Sequence, residues 1–262
     1  MEHSQTLREI NWVAFKTIVY KEIKRFLRIW VQTITPPAVN AILYLLIFGT
    51  LIGSRVGEMG GHRYLDFIVP GIAMMAIIIN SYSNVVSSFF SSKFMNHIEE
   101  LLVSPVHPLT IVAGYIVGGV CRGLLVGTLV FSVAAIFVGF NMHSWVITVT
   151  MAVLTATMFA SAGLINAVFA QTFDDTSIIP NFILTPLTYF GGIFYSIELL
   201  PEFWQNMSLA NPVLYMINGF RYGVLGVSDM PISWSIGAVL LFNVAFMGLA
   251  YYLVSTGKGI KK

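Results

Sequence analysis

The sequence predicts an all-α membrane protein of six transmembrane helices. An N-terminal amphipathic interface helix, a short cytosolic helix and outward re-entrant helices before the last span complete the expected architecture. Three observations carry this reading. Of 262 residues, 56% are hydrophobic and only 10% charged, with a mean hydropathy of +0.80; a soluble domain averages about 25% charged residues. Apolar runs that can cross a bilayer core, about 20 residues each, recur along the chain. Lys and Arg are also concentrated in a few segments, so their placement says more than the net charge of +2. The whole chain, 1–262, reads as a single transmembrane domain.

Residues 7–30 read as a basic amphipathic helix. Trp12, Phe15, Val19, Ile23, Phe26 and Trp30 recur at three- and four-residue steps, with Arg8, Lys16, Lys21, Lys24, Arg25 and Arg28 between them. Such a helix lies in the interface with its cations toward anionic headgroups. It serves either as a topological anchor or as a contact surface for a cytosolic partner. The first span is 31–53, with Pro36 and Pro37 in its first turns, where missing donors do least harm. Ser54 to Arg63 is a short Gly-rich loop. The second span, 64–92, carries Asp66 near one end and Asn80-Ser81-Tyr82-Ser83-Asn84 in its middle. Small polar groups in lipid usually hydrogen-bond between helices; a substrate path is the alternative.

The segment 94–103 is neither apolar enough to span nor polar enough for a plain loop. Phe94, Ile98, Leu101 and Leu102 fall on one helical stripe, flanked by His97, Glu99 and Glu100. Pro105 and Pro108 stop the helix. The surface is either one made to be gripped or a loop helix covering its own span ends. The third span, 109–138, holds two small-residue ladders, Gly114/Gly118 and Gly119/Gly123/Gly127, which allow close helix packing or a dimer seam. Arg122 lies within it. A cation at that depth faces protein or water, and marks either a pathway or a structural pair. The lone Cys121 excludes an intrachain disulfide.

The fourth span, 144–170, repeats the spacing with Ala152, Ala156 and Ala160. The short turn Gln171 to Thr176 bears Asp174 and Asp175, read as a solvated turn or helix cap rather than a cation site. The fifth span, 177–197, contains Pro180, Pro186 and the aromatic run Tyr189, Phe190, Phe194 and Tyr195 around Gly191-Gly192. Residues 199–230 are too broken for a span and too apolar for a free loop, and read as two half-buried helices dipping into the outer leaflet. The sixth span is 232–255, and the tail Gly257 to Lys262 adds three lysines.

Orientation follows from the cations. Those of the N-terminal segment, Lys93 and the tail lysines outnumber Arg55, Arg63 and Arg221 on the other side, so both termini face inward. The first apolar run starts too late, and without a small-residue cleavage site, for a cleavable signal peptide.

Several chemistries are excluded. No phosphate-cradling Gly-x-x-x-x-Gly-Lys-Ser/Thr loop occurs: Gly257-Lys258 has Tyr252 where the first Gly belongs and Gly259 in place of the hydroxyl. His97 and Glu99 do not share a helical face, and no paired cysteines or His-Glu-x-x-His motif exist, so no metal site and no catalytic residues are expected. Ionisable groups at depth are too few for a proton relay. A membrane enzyme would need clustered His, carboxylate or nucleophile side chains. Transport remains, with an ATP-independent channel or secondary transporter as the alternative to a driven permease.

Asn96-His97-Ile98-Glu99-Glu100-Leu101-Leu102-Val103-Ser104-Pro105 before the third span, Phe173-Asp174-Asp175-Thr176 through Pro186-Leu187-Thr188-Tyr189-Phe190-Gly191-Gly192, and Asn211-Pro212 through Gly219-Phe220-Arg221-Tyr222-Gly223 carry a family likeness. Over nearly its whole length the chain resembles the permease subunit of ABC-2 type transporters, which export drugs, polysaccharides and lipids. It is most similar to the bacterial inner-membrane type with a separately encoded ATPase. The resemblance implies that Ile98, Glu99, Glu100, Leu101 and Leu102 form a coupling helix docked on that ATPase. It also implies that residues 7–30 contact the ATPase, that 199–230 closes the outer end, and that the permease is a homodimer with two ATPase copies. ATP and Mg would then belong to the partner, with no cofactor on this chain. Along the fifth span, Tyr189, Phe190, Phe194 and Tyr195 are candidates for a substrate path, with Arg122; stacked rings hold sugars or amphiphiles, and an interfacial aromatic belt is the alternative.

Overall fold

The structure, a computed structural model, describes residues 2–139 and 142–260. The tail lysines Lys261 and Lys262 lie outside the described residues. Helix α1 (Glu2–Arg28) breaks at Ile29 (φ −104°, ψ 36°). Helix α2 (Trp30–Tyr44) passes through a π-helical stretch, Leu45–Ile52, into α3 (Gly53–Val56), giving one apolar rod. Strands β1 (Glu58–Met59) and β2 (His62–Arg63) then pair antiparallel, Met59 opposite His62. The turn between them is Gly60-Gly61 with φ of +59° and +76°, a two-residue loop that needs positive φ at both positions. This hairpin replaces the plain loop expected there.

Helices α4 (Tyr64–Phe94), α5 (His97–Val103), α6 (Pro108–Ala135) and α7 (Trp145–Phe169) follow. Then come α8 (Asp175–Ile179), a π turn at Pro180–Leu184, α9 (Thr185–Phe190), a 3₁₀ turn at Ile197–Leu199, α10 (Glu202–Leu209), α11 (Pro212–Leu225) and α12 (Ile232–Thr256). Among the described residues, five helices rather than six are long and apolar enough to cross a membrane. The missing one is the expected fifth span. Its helical run stops at Phe190, because Gly191-Gly192 turns the backbone and Gly192 adopts φ +78°. The long elements and the short runs between them make an all-α membrane protein.

Helix α4 is the axle, buried on most sides and packed mainly on α6 and α7. Its neighbours approach through small residues. A Cβ added at Gly119 would lie 2.5 Å from Val85 Cγ2 and 3.0 Å from Ala160 Cβ. One at Gly123 would collide with Ser81, and one at Gly127 with Ile77. On α7, a Cβ at Gly163 would lie 2.5 Å from the Tyr82 carbonyl oxygen. The 119/123/127 ladder is therefore spent on packing within the chain and is covered by α4, so it offers no dimer seam. The 114/118 ladder faces α1 instead, against Ile18 and Glu22.

The stripe of residues 7–30, expected to lie on the membrane interface, is mostly left uncovered by the rest of the chain: Trp12 is exposed, only Phe26 is buried, and Trp30 belongs to the next helix. A separate face of α1, carrying Ile18, Glu22 and Phe26 one turn apart, packs on the bundle. One expectation is corrected by the packing, in the region after residue 199. It holds two helices, as expected, but α11 is thoroughly buried against α7, α12 and α4 rather than half-buried.

Gly163→Val should lower the thermal midpoint of the detergent-solubilised protein, because the Tyr82 carbonyl is backbone and cannot step aside. An overpacking cost of about 1–3 kcal/mol is expected. Gly237→Ala, with open space around the added methyl, should leave the midpoint unchanged or raise it, since Ala exceeds Gly in helix propensity by about 1 kcal/mol.

Candidate docking end

One end of the bundle gathers the N-terminal part of α1, the α4–α5–α6 corner, the α7–α8 turn and the end of α12. Helix α4 stops at Phe94, and Asn96 takes φ +61°, a left-handed conformation that Asn tolerates better than most residues. Met95 and this left-handed Asn96 separate Phe94 from α5. The expected continuous 94–103 helix thus begins at His97, and Phe94 leaves the stripe.

Helix α5 has one inward side chain, Ile98, which is 1% exposed, with Leu101 and Leu102 half-buried behind it. Ile98 cannot touch a partner, and its place in the expected contact set is corrected: it anchors the helix to the core. Glu99 and Glu100 are exposed, and Val103 is 87% exposed. The two carboxylates occupy the first turn, where the exposed N–H groups favour negative charge. The exit is equally defined. Ser104 Oγ donates to Leu101 O at 2.6 Å, and Pro105 follows. His107 Nδ1 accepts from Leu109 N at 3.2 Å, capping α6 with Pro108 in its first turn. From α1, Asn11 Oδ1 accepts from His107 N at 2.7 Å and from the Thr110 hydroxyl at 3.0 Å.

The flanking turn is tied in as well. Lys93 Nζ donates to Val168 O at 2.5 Å and Ala170 O at 3.0 Å, a cation at the C-terminal end of α7. Phe173 lies edge-on to Phe90 at 4.9 Å and is tilted against Phe94 at 5.2 Å. Asp175 accepts from Gln171 N at 2.9 Å and Thr172 N at 3.0 Å, and its own N–H donates to Thr172 Oγ1 at 3.2 Å. This is the reciprocal arrangement of a capping box. The two backbone bonds hold the Asp175 carboxyl below the usual carboxylate range. Asp175 is therefore occupied in starting α8.

The expected substrate-path residues divide. Tyr189 and Phe194 come together with the first apolar rod. The Tyr44 and Tyr189 hydroxyls are 3.0 Å apart, Phe48 stacks on Phe194 at 4.3 Å, and Tyr44 and Tyr189 flank Phe194 at 5.7 and 5.9 Å. Tyr44 also lines a cavity of 70 Å³ with Asn40, Asn80 and Val130. Phe190 points elsewhere and stacks on Trp204 of α10 at 5.8 Å. Tyr195 is half-buried in the turn that follows. Arg122 sits on α6 two turns from Val130, partly buried, with its Nε lacking a hydrogen-bond partner. The structure does not gather Arg122 with the rings.

Sequence reasoning missed the knot at the opposite end. Arg221 on α11 is 2% exposed. Its guanidinium lies 3.7 Å from the Phe67 ring centroid, donates to Gly192 O at 2.5 Å and is 3.8 Å from Asp229 Oδ2. Asp229 in turn accepts from the Ser196 hydroxyl at 2.8 Å and Ile197 N at 3.3 Å. In the sequence Arg221 reads as an outward topological charge. The available signal was an Arg inside the apolar run Gly219-Phe220-Arg221-Tyr222-Gly223, which demands a partner.

This is a polytopic all-α membrane protein with a short, capped helix presented at one end. A family model described as ABC-2 type transporter matches residues 13–225. The chain belongs to the ABC-2 type transporter family. Among its relatives is the inner membrane transport permease YadH of Escherichia coli strain K12, 54% identical over 255 residues, which cover 97% of this chain and 100% of that one. Nodulation protein J of Rhizobium meliloti is 23% identical over 235 residues, 89% of this chain and 88% of that one. Nodulation protein J of Rhizobium leguminosarum bv. viciae is 23% identical over 248 residues, 94% and 93%.

Arg221→Met should destabilise the fold by about 3–5 kcal/mol, because it strands Asp229 as an unpaired charge. Adding Asp229→Asn should recover part of the loss. Thermal midpoints of the single and double variants in one detergent give the comparison; an additive double variant would argue against the pairing.

Proposed function

We propose that the chain is the permease subunit of an ATP-binding-cassette exporter in a bacterial inner membrane. It acts as a homodimer driven by two copies of a separately encoded ATPase, and moves a drug-like, lipid or polysaccharide cargo. ATP and Mg reside on the ATPase, with no cofactor on this chain. The name of the 54% identical relative, an inner membrane transport permease, supports both the role and the location. The concentration of Lys and Arg in the N-terminal segment and tail supports cytoplasmic termini and hence a cytoplasmic α5. On this reading α8 and α9 make the sixth crossing, and α10 and α11 are the re-entrant helices.

The observation that carries the proposal is the build of α5. A free loop helix would need no buried anchor, no double stop and no cap from a distant helix. Here Ile98 roots the helix, Ser104 and Pro105 end it, and Asn11 braces the chain beyond it. What remains outside is Glu99, Glu100 and Val103, a compact acidic and apolar handle, with Leu101 and Leu102 behind it. Two ATPases closing on ATP would push the two handles and tilt the spans between two packed arrangements. The cargo would pass along Tyr189 and Phe194 with the rings of Tyr44 and Phe48, near Phe190, Tyr195 and Arg122.

Glu99→Ala with Glu100→Ala should weaken capture of the cognate ATPase by about tenfold or more and uncouple hydrolysis from transport. The thermal midpoint of the permease should not move, because both side chains are exposed. Unchanged capture together with unchanged permease-stimulated ATP turnover would overturn the assignment. Full-rate transport by the purified chain alone in liposomes would instead establish an ATP-independent channel or secondary transporter.

A further inference from the structure

We infer that α1 is a brace across the α4–α5–α6 corner, and that Glu22 and Asn11 are the positioning residues that fasten it. The inference rests on the reading of α5 as the handle pushed by the ATPase.

Helix α1 touches both arms of the hairpin that carries α5. Along α6, Asn11 bonds His107 and Thr110, Ile18 fills the space left by Gly114, and Glu22 the space left by Gly118. A Cβ on Gly114 would lie 2.7 Å from Ile18 Cγ2, and one on Gly118 2.5 Å from Glu22 Cβ. The contact is flush, and it advances along both helices together. Toward α4 the fastening is polar. Glu22 is 0% exposed. It accepts from the Ser88 hydroxyl at 2.5 Å, from Arg25 Nη2 at 3.3 Å and from the Asn84 amide at 3.5 Å. Arg25 also donates to Asn84 O at 2.8 Å, Asn84 Oδ1 at 2.9 Å and Ser87 Oγ at 3.3 Å.

A buried carboxylate is a poor way merely to hold a helix down. Well-packed apolar residues do that as well or better, whereas an ionic cluster whose carboxylate is paired on several sides fixes register. Sliding α1 by one turn would leave Glu22 buried without its partners, which is costly. The cluster therefore permits one alignment of α1 on α4, and Asn11 permits one on the start of α6. With α1 locked to both arms, α5 cannot swing about Asn96 or Pro105 independently. A push on α5 reaches α4 and α6 as the displacement of one body.

The test uses the full chain with Cys121→Ser, and spin labels at Thr17→Cys on α1 and Met95→Cys before α5. Both positions are exposed. Labelled chains are diluted with unlabelled ones, so that measured pairs lie within one protomer. The distance distribution should be narrow, with the same centre in the permease alone and in the vanadate-trapped complex with the ATPase. Glu22→Leu, which keeps burial but removes register, should roughly double its width in the permease alone. Glu22→Gln, which keeps the Ser88 and Asn84 bonds, should restore a narrow distribution. Should Glu22→Leu not fold, Asn11→Ala at the exposed end of α1 should broaden the same pair. A centre that shifts on trapping, or Glu22→Leu and Asn11→Ala both as narrow as the unsubstituted protein, would overturn the brace. Loss of the docking assignment itself is read separately, from capture of the ATPase by the Glu99 and Glu100 variant, and leaves the ATPase-free distances standing.

Discussion

Close approach of α6 and α7 to α4 is the constraint on which the rest of the structure depends. Lipid tails are as apolar as Leu, so helices in a bilayer gain little by hiding apolar surface from each other. They gain by packing area, and packing area grows as backbones come closer. Gly119, Gly123 and Gly127 on α6 and Gly163 on α7 allow that approach, and Val85, Ser81, Ile77 and the Tyr82 carbonyl occupy the space a side chain would take. Because these contacts are flush, α4 is held closely from Ile77 to Val85. It runs between the two ends of the molecule.

Toward each end of α4 an arginine sits in a polar knot, Arg25 partly exposed and Arg221 buried. Near the α5 end, Arg25 and Glu22 join α1 to Asn84 and Ser88 of α4. At the hairpin end, Arg221 and Asp229 join α11 and the turn after Gly192 to Phe67 of α4. Unpaired charge in an apolar interior is penalised heavily, so each knot resists opening more than an apolar contact of the same size. Apolar packing gives the bundle cohesion, and the two knots give it register. Motion between such packed states is expected to be switch-like rather than graded.

The permease role draws on both features. On the proposed function the handle at α5 is small, and its rooting is what would let it serve as a point of force. Ile98 roots it from beneath, the α6 cap from one side and α1 from the other. The ring cluster of Tyr44, Phe48, Tyr189 and Phe194 sits where the first apolar rod meets the broken α8–α9 run. That run passes through a π turn and ends at Gly191-Gly192.

The sequence by itself determined the class and the five long apolar helices, and it expected a sixth over 177–197 that Gly191-Gly192 cuts short. Apolar length, Pro105 and Pro108, and the glycine spacing are local properties, and local patterns survive without knowledge of neighbours. The α5 segment was legible for the same reason, down to its exposed carboxylates. Only the tertiary structure decided which faces meet. The apolar spacing of residues 7–30 shows the aromatic stripe but not the second, packed face of α1 at Ile18 and Glu22, which only the neighbouring helices define. Nor can periodicity foresee that Asn96 turns left-handed and splits Phe94 from α5, or that Glu22 and Arg221 are buried. A charge reads as surface until its partners, sixty-two residues away for Asn84 and Glu22, are brought beside it. Long-range pairing is set by the whole bundle, and no window of sequence contains both halves of such a pair.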